Sequence, residues 1–157
     1  MTTRLAAVAA ALLLLVGIGT TGASASPSVL MIWTNPHPIA NLTDANHYLV
    51  GTGLGFRRAM ASYGHRIASD TSVPGSHFYV ERYDSRGFAS TLASYGDDYG
   101  PVWAKVAGVW RIVTRWDRGQ GVMCWALKKY GVPDQVLDAQ PAKCQTSTGD
   151  LVAYHHA

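Results

Sequence analysis

PVWAKVAGVWRIVTRW, Pro101 to Trp116, reads as a β-hairpin. Two apolar runs rich in Val, Ile and Trp flank Ala107-Gly108. In extended strands Val102, Ala104 and Val106 point one way, and Trp103, Lys105 and Ala107 the other. Past the turn, Trp110, Ile112, Thr114 and Trp116 share a face opposed by Val109, Arg111, Val113 and Arg115. The Trp/Ile face is the expected core side, because the two arginines prefer water. Gly108 suits the positive φ of a tight turn. Ala107 fits a two-residue primed turn poorly, so a longer bulged loop is an equal alternative.

Upstream, His77 to Tyr83 (HFYVERY) alternates and is rich in β-formers, and Asp84-Ser-Arg-Gly87 makes a turn. Phe88 to Tyr95 has spacing that suits a strand or a short helix; beside two strand runs it is expected as a strand. The pattern predicts an α+β fold: an antiparallel meander of about four strands with one or two helices packed on it. From Leu49 to Ile67 the apolar residues Leu49, Phe56, Met60, Tyr63 and Ile67 fall near one helical face. Gly51, Gly53 and Gly55 disfavour its first half, so the expected helix spans Phe56 to Tyr63 with Gly64 as its stop. The GTGLG run lacks the Walker lysine and the full dinucleotide spacing, which makes it structural. Gly55–Gly64 and Gly87–Gly96 share six of ten positions, and His47–Val50 echoes His77–Val80. A duplicated unit and coincidence are equal readings of this echo; a true repeat would make 55–64 a strand.

Towards the ends, Val29 to Trp33 (VLMIW) is an edge strand or a tacked-down arm, stopped by the prolines at 36 and 38. Asn41-Leu-Thr43 matches a glycosylation acceptor. Gly121 to Tyr130 predicts a helix, with Gly131-Val-Pro133 as a left-handed cap followed by a breaker. Pro133 can open a short second helix through Leu137. Arg4, the apolar run from Leu5 to Ile18 and the small residues at Ala23 and Ala25 form a secretory leader cleaved after Ala25. The expected organisation is a leader over 1–25, an N-terminal arm over 26–42 and one small α+β domain over 43–157. Nothing after the leader is apolar for long enough to span a membrane. In an exported protein the two cysteines, Cys124 and Cys144, most simply form one disulfide tying the C-terminal helix to the tail.

The formal charge is +3 in 157 residues, and one positive charge leaves with Arg4. The basic residues are scattered, which argues against nucleic acid as a partner. His77 and Glu81 share a strand face too far apart for a dyad. Asp97-Asp98, in the loop before Tyr99, reads as a solvated pair before it reads as a calcium or acid–base site. His155-His156 lacks a third metal ligand. No GxSxG, HExxH or phosphate loop occurs, so no catalytic residue, metal or cofactor is expected.

Gly108-Val-Trp-Arg-Ile-Val113, Cys124, Leu127, Gly131-Val-Pro133 and Cys144 together resemble the C-terminal signature of small exported bacterial proteins of uncharacterised function. There a Gly-x-Trp-x-Val strand precedes a cysteine, a Val-Pro or Ile-Pro step and a final cysteine. The resemblance spans Val102 to Cys144. It implies the strand–helix order and the disulfide, and it implies no activity.

Two functional readings follow. The first is an exported, non-enzymatic domain that binds a protein partner or cell-envelope component outside the cell. Its aromatic sheet face would comprise Trp103, Trp110, Trp116, Tyr79 and His77. A secreted inhibitor of an extracellular enzyme is its narrower form. The second is a pocketed α+β domain binding a small ligand or acting as a small enzyme, with His47, His65 and His77 converging on an acid. A solvent-facing aromatic patch favours the first, and an enclosed pocket with polar groups the second.

Overall fold

The computed structural model describes residues 28–117, 120–137 and 142–156. The leader expected over 1–25 lies outside them. The chain forms β1 (Leu30–Ile32), α1 (Leu42–Tyr48), α2 (Leu54–Ala68), β2 (His77–Asp84), β3 (Phe88–Tyr95), β4 (Asp97–Val106) and β5 (Val109–Asp117). After these come α3 (Cys124–Tyr130), a 3-10 turn at Asp134–Val136, β6 (Lys143–Gln145) and β7 (Leu151–Ala153). Strands β1 to β5 pair antiparallel in chain order, and β6 and β7 form a separate ribbon. The fold is therefore α+β with a meander sheet. The expected four strands are β2 to β5, and the VLMIW segment supplies a fifth at the edge of β2.

The hairpin has the tightest form available to it. Val106 pairs with Val109, so Ala107-Gly108 is a two-residue turn with φ of 49° and 81°. Both central residues are left-handed, as a primed turn requires. Strand β4 starts earlier than expected, at Asp97, and runs through Pro101. Asp97 and Asp98 are thus exposed strand residues rather than loop residues. Pro101 has no amide to donate, and the Thr91 hydroxyl instead donates to its carbonyl at 3.0 Å.

A bulge splits the tryptophans. The register slips between Val102–Thr114 and Trp103–Ile112, which inserts Val113 as an extra residue in β5. Trp110 consequently joins the core on one side of the sheet, while Val113 and Trp116 pack with the core on the other. The single Trp/Ile face expected from strict alternation does not survive this insertion. A second bulge, at Glu81 in β2, does the same between the Val80–Thr91 and Arg82–Ser90 pairs.

Helices α1 and α2 cover the first face, where Phe56, Met60 and Ile67 meet Phe78, Val80 and Trp103. Helix α1 was not expected. Asn41, the first residue of the glycosylation-like triplet, is its N-cap and accepts from the Asp44 amide at 3.0 Å. Helix α2 runs straight through Gly64, which is not its stop. A Cβ there would lie 1.8 Å from the Ile39 carbonyl oxygen, so the glycine is a contact point between helix and chain. The helical Gly55–Gly64 and the strand Gly87–Gly96 differ in structure, and their sequence echo is no structural repeat.

The second face is covered by the C-terminal segment. Helix α3 ends on Gly131 at φ 62°, with Val132 N donating to Leu127 O and Gly131 N to Lys128 O. Buried Val132 and Leu127 complete this left-handed cap. Cys124 and Cys144 form the expected disulfide, which joins α3 to β6.

Candidate functional site

The second face holds a half-enclosed cavity of about 330 Å³ between the sheet and the C-terminal cover. Each wall has a local cause. Val102 on β4 and Trp116 on β5 form an apolar floor. Trp116 reaches it by crossing Gly100, where a Cβ would lie 1.7 Å from the indole Nε1. Ser90, beside Val102 in register, is part of the wall, with its Oγ buried behind it. Glu81 enters from the β2 bulge, the irregularity that lets its neighbourhood depart from strict alternation. Gly121, Val122 and Leu137 close the far side.

Lys143 and Leu151, one from each strand of the ribbon, form the rim. The ribbon is fixed in place by the disulfide, by the Gln145 amide donating to the Val122 carbonyl at 2.7 Å, and by a Met123–Gln145 bridge. Leu151 is 62% exposed and still lines the cavity, so the rim faces solvent. Ser90 is 5% exposed, and its Oγ has no hydrogen-bond partner. Glu81 and Lys143 carry opposite charges.

The five residues expected to form an aromatic surface are divided between the faces. Trp103 is in the first core, donating from Nε1 to Thr91 Oγ1 at 2.9 Å and standing edge-on to Tyr63. Trp110 packs against Phe56 at 4.7 Å in the same core. Trp116 lines the cavity. Tyr79 is half-buried and His77 exposed, with rings 6.1 Å apart, outside the cavity lining. Ser90, Glu81, Lys143 and Leu151 were not anticipated. Their positions depend on a bulge and on a ribbon folding back over the sheet, neither of which has a local sequence signature.

A second, open cleft lies on the helical side, lined by Tyr63, Arg66, Asp70, Tyr95 and Tyr99. The Tyr63 and Tyr99 hydroxyls share a hydrogen bond at 3.0 Å, and Tyr95 donates to Asp70. Burial, followed by the bond to Tyr63, pushes the Tyr99 hydroxyl well above the usual phenol range. Arg66 stacks over Tyr63 at 4.7 Å. The cleft is a cross-linked tyrosine cluster with its polar tips already engaged.

His47 is on α1, His65 on α2 and His77 on β2. Among the described residues no group of three His, Cys, Asp or Glu side chains comes together in a way that would hold a metal ion. No helix among them is long and apolar enough to cross a membrane. Comparison with protein families, with characterised proteins and with solved structures returns no match.

Proposed function

We propose that this chain is an exported binding domain that holds a small, mainly apolar ligand between its sheet and its C-terminal cover. The observation that carries this reading is the cavity of about 330 Å³ with an indole and aliphatic floor. That volume lies at the lower end of the range for small-molecule sites, about 300–1,000 Å³. Export is supported by the leader pattern over 1–25 and by the disulfide. The site is read as a binding site because its described lining is mainly aliphatic and aromatic.

Native mass spectrometry of the protein, purified gently from its own secretion medium, tests the reading. The expected result is a small extra mass that is lost on denaturation. Leu151→Asp, on the exposed rim, should sharply reduce that mass while leaving the fold intact, because it places a charge at an apolar mouth. A bare protein under these conditions would count against the proposal.

A partner-binding reading is favoured by a separate observation. Trp125 on α3 is 61% exposed, beside exposed Lys128 and Lys129. An exposed indole next to cations suits a protein or anionic envelope surface. Co-purification of a second polypeptide that is lost with Trp125→Ser would establish that reading in place of the first.

A further inference from the structure

Loops at one end of the sheet carry exposed aliphatic side chains with cations beside them. Hydrogen bonds bring these segments together. The Val29 amide donates to Ser85 Oγ at 2.8 Å, the Ser85 amide to the Val29 carbonyl at 3.0 Å, and the Lys105 amide to the Gly87 carbonyl at 2.7 Å. The start of β1, the β2–β3 turn and the β4–β5 turn therefore lie side by side. The α1–α2 loop reaches the same end, because Phe56 packs on Tyr83 and Trp110. A Cβ at Gly51 in that loop would lie 3.1 Å from Met31 Cε. Val29, Val50, Leu54 and Val109 project from these segments at 46% to 66% exposure. None of the four lines the cavity or the tyrosine cleft.

Lys105 and Arg111, both exposed, flank the turn that ends at Val109. Arg58 is exposed one helical turn beyond Leu54, on the same face of α2. Asp84 is the only acid within 28–30, 49–58, 84–88 and 105–111. It is fully buried and bonded to Arg86 and Gln135. Asp97, Asp98 and Asp117 stand at the opposite end of the same strands.

We propose that this end of the molecule docks on an anionic lipid bilayer, with Val29, Val50, Leu54 and Val109 at the headgroup boundary and the neighbouring cations on lipid phosphates. The exposed apolar side chains here are all aliphatic, with Tyr83 and Trp110 half-buried behind them. Protein hot spots favour aromatic anchors seated in pockets, whereas a fluid surface accepts separate aliphatic points ringed by cations. Val29 and Val109 adjoin opposite edge strands of the five, so the points spread over about 19 Å of sheet width. The chain also enters the described fold at this end, at Ser28. The apolar run Leu5 to Ile18, while attached, is thus joined to the surface that faces lipid. Neither the cavity nor Trp125 takes part in this surface.

Cosedimentation with vesicles tests the proposal, using protein recovered from its own secretion medium. Vesicles of phosphatidylcholine alone are compared with vesicles that also contain phosphatidylglycerol, at low salt and at about 0.5 M salt. The expected result is binding to the anionic vesicles only, weakened by salt. Val50→Asp with Leu54→Asp should reduce partitioning about tenfold or more, by placing charges at the apolar points. Lys105→Gln and Arg111→Gln should each reduce it about fivefold, the effect of one charge near an anionic surface. All four positions are exposed, and an unchanged near-UV circular dichroism spectrum verifies the fold of each variant. Trp125→Ser should leave partitioning unchanged. No binding to the anionic vesicles, or binding that survives both sets of substitutions, would overturn the proposal. Loss of binding with Trp125→Ser alone would overturn it as well, by moving the lipid contact to α3.

Discussion

At the scale of single residues, Asp84 links the sheet to the C-terminal cover by accepting from Gln135. It is fully buried at the end of β2, and burial alone would push its carboxyl up. Hydrogen bonds from Arg86 and Gln135, together with the Arg86 charge, reverse that direction and hold it below the ordinary carboxylate range. Arg86 Nε, Nη2 and backbone N contribute at 3.1, 2.9 and 2.8 Å, and Gln135 Nε2 at 2.9 Å. The last bond joins the β2–β3 turn to the 3-10 turn of the C-terminal cover. Because the folded pKa lies below the unfolded value of about 3.9, the contribution is complete above that pH. It is lost as pH falls through the folded value. Asp84→Asn should lower stability by about 1–3 kcal/mol at neutral pH, with the gap from wild type closing in urea titrations below about pH 4. A gap independent of pH would show that the charge of Asp84 is not what matters.

Elements depend on where the chain bends as much as on what it contains. In the β4–β5 hairpin the pairing leaves only two residues for the turn, so Ala107 is held at φ 49°. It is the only non-glycine residue with positive φ among the described residues. Left-handed backbone costs an L-residue about 1–2 kcal/mol, less for Asn, whose short side chain bonds locally. Ala107→Asn should therefore stabilise the protein by about 0.5–1 kcal/mol, read as a higher urea midpoint at unchanged m-value. No gain would mean that the turn relaxes to a longer loop in solution. The same element was legible in outline because its apolar runs and Gly108 are local signals. Its facing was not, since the bulge at Val113 answers to packing on both sides of the sheet. Helix α1 had a legible start in Asn41-x-x-Asp44, a capping pattern hidden by the overlapping glycosylation triplet. Gly64 looked like a helix stop, yet it is a helix contact, because only the position of Ile39 decides which role a glycine plays.

For the whole molecule, a buried apolar cluster joins the C-terminal cover to the sheet, the cavity lies between them, and the disulfide staples the cover to itself. The Cys124–Cys144 disulfide closes a separation of 20 residues, worth about 3 kcal/mol in the chain-entropy model. Reducing it should accelerate amide exchange in α3 and β6 first, while β2 to β4 stay protected, and should weaken ligand retention in the same step. Uniform loss of protection would mean that the two faces unfold as one unit. The sequence alone determined the meander β2 to β5 followed by α3, the left-handed end of α3, the cysteine pair and the α+β class. Each of these is written in residues close in sequence or in a count of two. Only the tertiary structure decided that Trp103 and Trp110 belong to one core while Trp116 lines a cavity in the other. It alone brought Ser90, Glu81, Lys143 and Leu151 around one cavity. Alternation specifies two faces of a strand, but bulges, close glycine contacts and a ribbon folding back are solutions to packing, and packing is settled between residues distant in the chain.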